Sequence, residues 1–396
     1  MDKITELLTR GVETIYPSRD VLEKVLRSDK KLRIYNGIDP TGKLHLGHLS
    51  VLRKLRQFQD LGHEIIILIG DFTARIGDPT DKLATRKKLS KMQIEENAAN
   101  YKELIGKVLD LKRANIRFLH NEEWSNKLKP EDMLELASYF TVSQLLERDM
   151  FQQRIKENKE IYVHEFLYPI FQAYDSVTMN VDMEIGGNDQ TFNMLAGRTL
   201  MRKLKNKEKF VLTTKLLTDP TGKKMGKTEG NIIALEENPV DMFGQIMSWP
   251  DEITISGFTL LTDVPTSKID EIARELESGA NPIGLKKRLA FEIVKELNGE
   301  ESAKHAQEYF EKTVQKKELP EDIPTFEMKA DEHLVITDLL VRAGLVGSKS
   351  EAKRLVEQGA VEVDSDVVDS PTEEIIPEDN MLIKCGKRNF IRIKIS

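Results

Sequence analysis

Two histidines, His45 and His48, bracket Leu46 and Gly47 where the turn Asp39-Pro40-Thr41-Gly42 gives way to an amphipathic stretch. A helix that starts there offers unpaired backbone N–H groups and the positive end of its dipole, which together bind phosphate. Thr41 and the imidazoles add further donors, and Gly47, with no side chain, lets a purine or ribose lie against the backbone. Far downstream, Lys223, Lys224 and Lys227 surround Gly226 and precede Thr228, a basic loop able to close over the same phosphates. Two phosphate-handling elements point to nucleotide chemistry. Two other readings of the histidines stand beside this one. They can be half of a zinc site, although no credible second half is nearby among seven histidines and one cysteine. They can also be packed or solvated residues at a helix start. No Gly-x-x-x-x-Gly-Lys-[Ser/Thr] sequence occurs, which excludes a Walker-type ATPase.

Other constellations bear on the second substrate. Asp78 is followed by Lys82 and Arg86, cations four residues apart that share a face if the segment is helical. They can meet a polyphosphate or form a solvated basic face. Tyr168, Gln172 and Asp175 are spaced for one helical face, and Phe166, Leu167, Ile170 and Phe171 surround them with apolar bulk. A core would not hold a phenol, a carboxamide and a carboxylate without partners. A half-buried pocket for a zwitterionic amino acid accounts for them better than a solvated stripe. Gly186-Gly187-Asn188-Asp189-Gln190 adds a glycine turn whose polar tip can reach a ribose or a carboxylate.

The elements that must carry these groups follow from periodicity. Residues 33–38 read as a strand entering the Asp39 turn, and Leu49, Leu52, Leu55 and Phe58 line one side of a helix over 46–61 with Gly62 as its stop. The apolar run 65–69 suits a strand buried on both faces of a parallel sheet. Residues 116–119, 181–185 and 209–214 are further strand candidates. Strands alternating with helices predict an α/β fold with a Rossmann-like, doubly wound parallel sheet, and ligands of such folds lie at the carboxyl ends of the strands. Beyond Lys227 the pattern turns helical, over 239–249, 268–278, 282–297 and 302–314. A charged, proline-bearing linker at 316–324 precedes a small α+β module with helices at 336–343 and 350–358. The expected domains are 1–230, 231–324 and 332–396. Asp-Pro-Thr occurs at Asp39, Asp78 and Asp219 with unlike flanks, so these are independent turns rather than a repeat.

Composition bounds the partners. A net charge of −7 argues against a protein that coats nucleic acid indiscriminately, yet leaves room for local RNA contacts at basic clusters 82–91, 202–209 and 349–354. The lone cysteine, Cys385, excludes an internal disulfide framework, so the reducing cytoplasm is the expected compartment. No run is long and apolar enough to suggest a membrane span.

Taken in order, these elements resemble the class I aminoacyl-tRNA synthetases, and among them the bacterial tyrosyl enzymes. The resemblance runs from Leu32 to the C-terminus. It rests on the His-x-Gly-His and Lys-Met-Ser-Lys-Ser-like signatures, on Ile76-Gly77-Asp78-Pro79, on the run from Tyr168 to Asp175 and on Gly186-Gly187-Asn188-Asp189-Gln190-Thr191-Phe192-Asn193. The final module, with Gly347-Ser348-Lys349-Ser350 and Gln358-Gly359-Ala360-Val361, resembles an S4 RNA-binding domain. Two features depart from the family pattern. Gly226 stands where the signature has serine, and the turn from Asp39 to His45 is one residue shorter than usual, so Gly42 and Lys43 receive no role.

The resemblance implies an activity and a site. The reaction would be activation of L-tyrosine by ATP, then transfer of the tyrosyl group to tRNA(Tyr). Tyr35 and Asp175 would meet the substrate phenol, and Asp78, Tyr168 and Gln172 its ammonium group. Asp39, Gly187, Asp189 and Gln190 would contact the adenylate, ribose or substrate carboxylate. Thr41, His45, Gly47 and His48 would contact the nucleotide, and Lys82, Arg86, Lys224, Lys227 and Thr228 the departing pyrophosphate. Magnesium would arrive on the phosphates of ATP, with no metal held by the protein. Segment 231–324 would bind the anticodon arm, and the chain would form a homodimer, with 132–151 as its contact region. A tryptophanyl enzyme is the nearest rival, opposed by Tyr35, Asp175 and the S4-like tail. A non-catalytic RNA-binding protein on the same scaffold and an S4-containing RNA-modifying enzyme are the more distant ones.

Overall fold

The computed structural model describes residues 2–78, 90–219, 221–222, 232–315, 323–329, 332–386 and 389–395. The chain forms two compact units, Met1–Glu237 with Gln245–Gly299, and Asn238–Gly244 with Glu300–Ser396.

The first unit is built on a six-stranded sheet of β1 (Val12–Tyr16), β2 (Arg33–Ile38), β3 (Glu64–Ile69), β4 (Ile116–His120), β5 (Met183–Gly187) and β6 (Phe210–Thr214), in the order β1-β6-β5-β2-β3-β4. All pairs are parallel except β1 with β6. Strand β1 is not among the strands expected from sequence, because its alternation Val12-Glu13-Thr14-Ile15-Tyr16 marks a one-sided edge strand rather than the apolar runs of the centre. The chain winds outward from β2 through β3 and β4, then returns to place β5 on the other side of β2. This is the topological switch point, where open α/β sheets leave a crevice at the strands' carboxyl ends. Asp39 after β2, Gly70 after β3, Asn121 after β4 and Gly187 at the end of β5 all emerge there.

Three helices position side chains at that crevice. The helix Leu46–Asp60 buries Leu46, Leu49, Val51, Leu52, Leu55 and Phe58, the stripe expected from the sequence, and Gly62 follows it with φ +80°. The helix Val163–Thr178 packs Ile170, Ala173 and Val177 against Ala196, Leu200 and Met201 of the helix Thr191–Lys205. That contact turns the Tyr168–Gln172–Asp175 face inward. Burying each of the larger ones, Ile170, Val177, Leu200 and Met201, contributes about 1.5–3 kcal/mol.

The helices Thr254–Leu261, Thr266–Glu277 and Pro282–Asn298 belong to the same unit as the sheet. The first is not among the helices expected from sequence. It is short and apolar nearly all round, burying Gly257, Phe258, Leu260 and Leu261, so it has no polar face to reveal a helical period. The Arg10 guanidinium ties it down by donating to the carbonyls of Phe258, Thr259, Thr262 and Val264.

In the second unit a five-stranded sheet runs in the order Asp366–Val367, Val361–Val363, Leu382–Cys385, Asn389–Ile395 and Thr325–Met328. Helices Ile336–Arg342 and Lys349–Glu357 share its core, which includes Leu339, Leu340, Val356, Ile383 and Cys385. Burial pushes the Cys385 thiol up to about 11, so it is a packed, unreactive side chain. The expected linker at 316–324 lies almost wholly outside the described residues.

Candidate active site

A cavity of about 440 Å³ opens at the switch point, a size suited to small-molecule ligands. It is lined by Tyr35, Asp39, Thr41, His45, Gly47, His48, Asp78, Tyr168, Gln172, Asp175, Gly187, Asp189 and Gln190. Every sequence-derived candidate that falls within the described residues therefore faces one space. Lys82, Arg86, Lys224, Lys227 and Thr228 lie outside the described residues.

At the rim, His45 is the N-cap of the helix Leu46–Asp60. Its Nδ1 accepts the Gly47 N–H at 3.0 Å, and the Nδ1 of His48 accepts the His45 N–H at 3.2 Å. Two imidazoles thus form a reciprocal capping box, a job usually done by Ser or Asp with Glu. Because both Nδ1 atoms accept, each neutral ring carries its proton on Nε2 and presents a donor there. Gly47 has a local reason to be glycine, since a Cβ would stand 2.8 Å from the His45 ring. The glycine lets the ring fold back as a cap, beyond any opening it makes for a ligand. In the turn before it, Tyr101 donates to the Gly42 carbonyl, and Lys43 pairs with Glu236 at 2.6 Å.

Deeper in, the carboxylates are held rigidly. Asp39 accepts from Thr73 Oγ1 at 2.7 Å and Tyr168 OH at 2.9 Å. Gly70 lies so close that any side chain there would overlap the Asp39 carboxylate. Asp78 accepts from Gln190 Nε2 at 2.6 Å and stands 3.5 Å from Arg148, whose guanidinium also lies over the rings of Phe151 and Phe192. Asp175 accepts from Trp124 Nε1 at 2.7 Å and Asn121 Nδ2 at 3.2 Å. Gln172 donates to Glu184 at 2.9 Å. The described wall is therefore dominated by acceptors, which suits an ammonium group.

Tyr35 forms the inner end, fully buried, with its hydroxyl 2.9 Å from Ser176 Oγ. Burial holds the phenols of both Tyr35 and Tyr168 well above the usual range, so both remain protonated hydrogen-bonding groups. Asn121, Trp124, Glu184, Ser176 and Arg148 are not among the residues singled out from sequence. A signal existed for three of them. Asn121 and Trp124 closely follow β4, the strand end where the topology puts ligands, and Glu184 is a charged residue inside an apolar strand.

Burial pushes the Asp39 carboxyl up to about 7 and that of Asp175 up to about 8, against the pull of their hydrogen-bond donors. A carboxyl with a folded pKa above its unfolded value, about 3.9, binds its proton more tightly when folded. Its stabilising contribution is complete below about pH 4 and is lost as pH rises through the folded pKa, at roughly 1.4 kcal/mol per pH unit. The ligand-free protein should therefore melt lower near pH 8.5 than near pH 5.5, and Asp39→Asn and Asp175→Asn should each flatten that slope. Calorimetry that finds the same slope in the variants would contradict this.

Among the described residues no group of three or more His, Cys, Asp or Glu side chains stands where it could hold a metal ion. Nor, among those residues, is any helix long and apolar enough to cross a membrane.

Residues 27–315 match the family described as class I tRNA synthetases of the tryptophan and tyrosine group. Residues 315–393 match the C-terminal domain of SYY-like tyrosine–tRNA ligases. The chain is 44% identical over 391 residues to the tyrosine–tRNA ligase of Thermotoga maritima, covering 98% of this chain and 96% of that one. It is 43% identical over 393 residues to that of Moorella thermoacetica, covering 98% and 94%. In fold it is similar to a C-terminally truncated mitochondrial tyrosyl-tRNA synthetase of Coccidioides posadasii, with a TM-score of 0.63 at 24% identity over 78% of this chain and 91% of that one.

Proposed function

From the premise that this chain belongs to the class I tRNA synthetases of the tryptophan and tyrosine group, and within them to the tyrosine–tRNA ligases, we infer how its cavity carries out the reaction. The enzyme activates L-tyrosine with ATP, forming tyrosyl-adenylate and pyrophosphate, and transfers the tyrosyl group to the 3′ end of tRNA(Tyr). The observation that carries the assignment of roles is the cavity's polarity. Tyr35 and Asp175 are buried in its wall, Asp39 and Asp78 line it with Tyr168 and Gln172, and the imidazoles of His45 and His48 stand at a helix start.

In this reading the substrate phenol sits between Tyr35 and Asp175. Its ammonium group meets Asp78, Tyr168 and Gln172, with Asp78 braced by Gln190 and Arg148. Asp39, Gly187, Asp189 and Gln190 contact the adenylate, ribose or substrate carboxylate. The nucleotide lies along Thr41, His45, Gly47 and His48. The tyrosine carboxylate is already ionised near neutral pH, its pKa being about 3.5, so attack on the α-phosphate requires no general base. What the site must supply is alignment and donors for charge spreading over phosphate oxygens. His45 and His48 supply Nε2–H donors, and Lys82, Arg86, Lys224, Lys227 and Thr228 gather round the pyrophosphate. Magnesium enters on the phosphates of ATP, as part of the substrate. In the second step a terminal ribose hydroxyl of the tRNA attacks the adenylate carbonyl and AMP leaves.

We further propose that 1–230 is the catalytic domain, that 231–324 binds the anticodon arm and that 332–396 is an S4-like RNA-binding module. The enzyme works in the cytoplasm as a homodimer. Leu134 and Val142, 74% and 68% exposed, lie within 132–151 and give this contact region an apolar face.

The test is amino-acid-dependent ATP–pyrophosphate exchange by the full chain. L-Tyrosine should support exchange, and L-tryptophan and L-phenylalanine should lag far behind. Exchange driven best by tryptophan would move the chain to its sister group.

A further inference from the structure

Beneath the recess lies an ion pair to which the reaction assigns no part. Lys209, just before β6, is 0% exposed, and Glu184 of β5 is 2% exposed. Isolated charges in such a place would cost several kcal/mol each, and a buried pair is weak grounds for stability. Its partners point elsewhere. The Lys209 ammonium has three N–H donors, and its acceptors are Glu184 Oε2, Met194 O at 3.1 Å and Ser176 Oγ at 2.9 Å. It also lies 5.4 Å from the centre of the Tyr35 ring. Glu184 in turn accepts from Gln172, and its strand position is in register with Tyr35. The pair is thus wired to both ends of the amino-acid recess.

The wiring has a direction. An ammonium can only donate, so Ser176 Oγ must accept from Lys209. The other described partner of the Ser176 hydroxyl is Tyr35, 2.9 Å away. Full pairing of buried donors then has Ser176 donating to the Tyr35 oxygen, which leaves the Tyr35 hydrogen for an acceptor other than Ser176: the Glu184 carboxylate, already taken by Lys209 and Gln172, or a hydroxyl bound in the cavity. Across the recess, each oxygen of Asp175 already takes one N–H, and in the ionised form both keep a lone pair to accept another donor. A group that accepts from Tyr35 and donates to Asp175 is a neutral hydroxyl.

We propose that Lys209 is a specificity-determining positioning residue, one whose ammonium fixes Tyr35 as a donor through Ser176 and, with Glu184, anchors Gln172. The inference rests on the reading that the Tyr35–Asp175 recess takes the tyrosine phenol. Lys209 touches neither substrate and acts through the residues that do.

Two variants test it. Lys209→Met combined with Glu184→Gln removes the donor without stranding a buried charge, and Ser176→Ala cuts only the link to Tyr35. In pyrophosphate exchange each should raise KM for tyrosine about tenfold to a hundredfold, the loss expected of a broken buried hydrogen-bond chain. KM for ATP and kcat should stay within about threefold, because neither chemistry nor nucleotide is touched. The preference for tyrosine over phenylalanine should fall by a similar factor, and combining all three substitutions should add little, since they break one chain. Lys209→Gln combined with Glu184→Gln retains a neutral donor, strands no buried charge and should recover most of the preference. Wild-type preference in both the Met/Gln and the Ala variants would overturn the inference while leaving the tyrosine reading intact. Failure of the wild type to activate tyrosine would instead overturn the reading beneath it.

Discussion

Truncating Asp175 to alanine should lower kcat/KM for tyrosine activation by about 10²- to 10³-fold, and should leave the far weaker reaction with phenylalanine nearly unchanged. The change removes the acceptor for the phenol and strands Trp124 Nε1 and Asn121 Nδ2, both of which now end on its carboxylate. A substrate with no hydroxyl never used that acceptor, so the preference between the two amino acids collapses from the tyrosine side. Asp175→Asn should fall between, because its carbonyl still accepts while its amide faces a donor already in place. Steady-state exchange kinetics with both amino acids measure this. Equal losses for the two would show that Asp175 supports the fold of the pocket and does not read the phenol.

Replacing His48 or His45 by alanine should reduce kcat for adenylate formation by about 10²-fold, the scale of losing one donor to developing negative charge. Tyrosine affinity should change less than about threefold, because the imidazoles act at the phosphates and the phenol lies at the other end. Each histidine has a second job as a cap, worth about 1 kcal/mol, and the two jobs can be separated. Asparagine is a good N-cap, so His45→Asn should keep the melting temperature while remaining slow, lacking a donor at the Nε2 position. Wild-type kcat in His45→Asn would reduce these rings to capping residues. Stopped-flow measurement of adenylate formation, with calorimetric melting beside it, covers both outcomes.

Much of the sheet was legible because its central strands are buried on both faces and carry continuous apolar runs. The strand at 33–38 and the helix after His45 were readable to within a residue. The edge strand β1 and the helix Thr254–Leu261 were not, for opposite reasons: one is half polar, the other apolar nearly all round. Within the site, the legible residues are those whose types are costly to bury, such as Tyr168, Gln172 and Asp175 on one helical face. The residues that hold them are not paired with them by any sequence pattern, even where, as for Asn121 and Trp124, their place after β4 is a signal. Trp124, Asn121 and Ser176 are 51, 54 and 141 positions from the partners they bond. In sequence Lys209 is the start of a strand and the end of the basic cluster 202–209, since only the fold brings it under Tyr35. The histidine pair carried two meanings at once, a helix cap and a phosphate site, and sequence alone could not show that one geometry serves both.

The most direct test is a crystal structure of the full chain with L-tyrosine bound. The phenolic oxygen should lie within hydrogen-bond reach of both Tyr35 Oη and an Asp175 carboxylate oxygen, with the ammonium group toward Asp78 and Gln172. A phenol turned toward His45, with the ammonium between Tyr35 and Asp175, would contradict the polarity assigned to the cavity and every role derived from it.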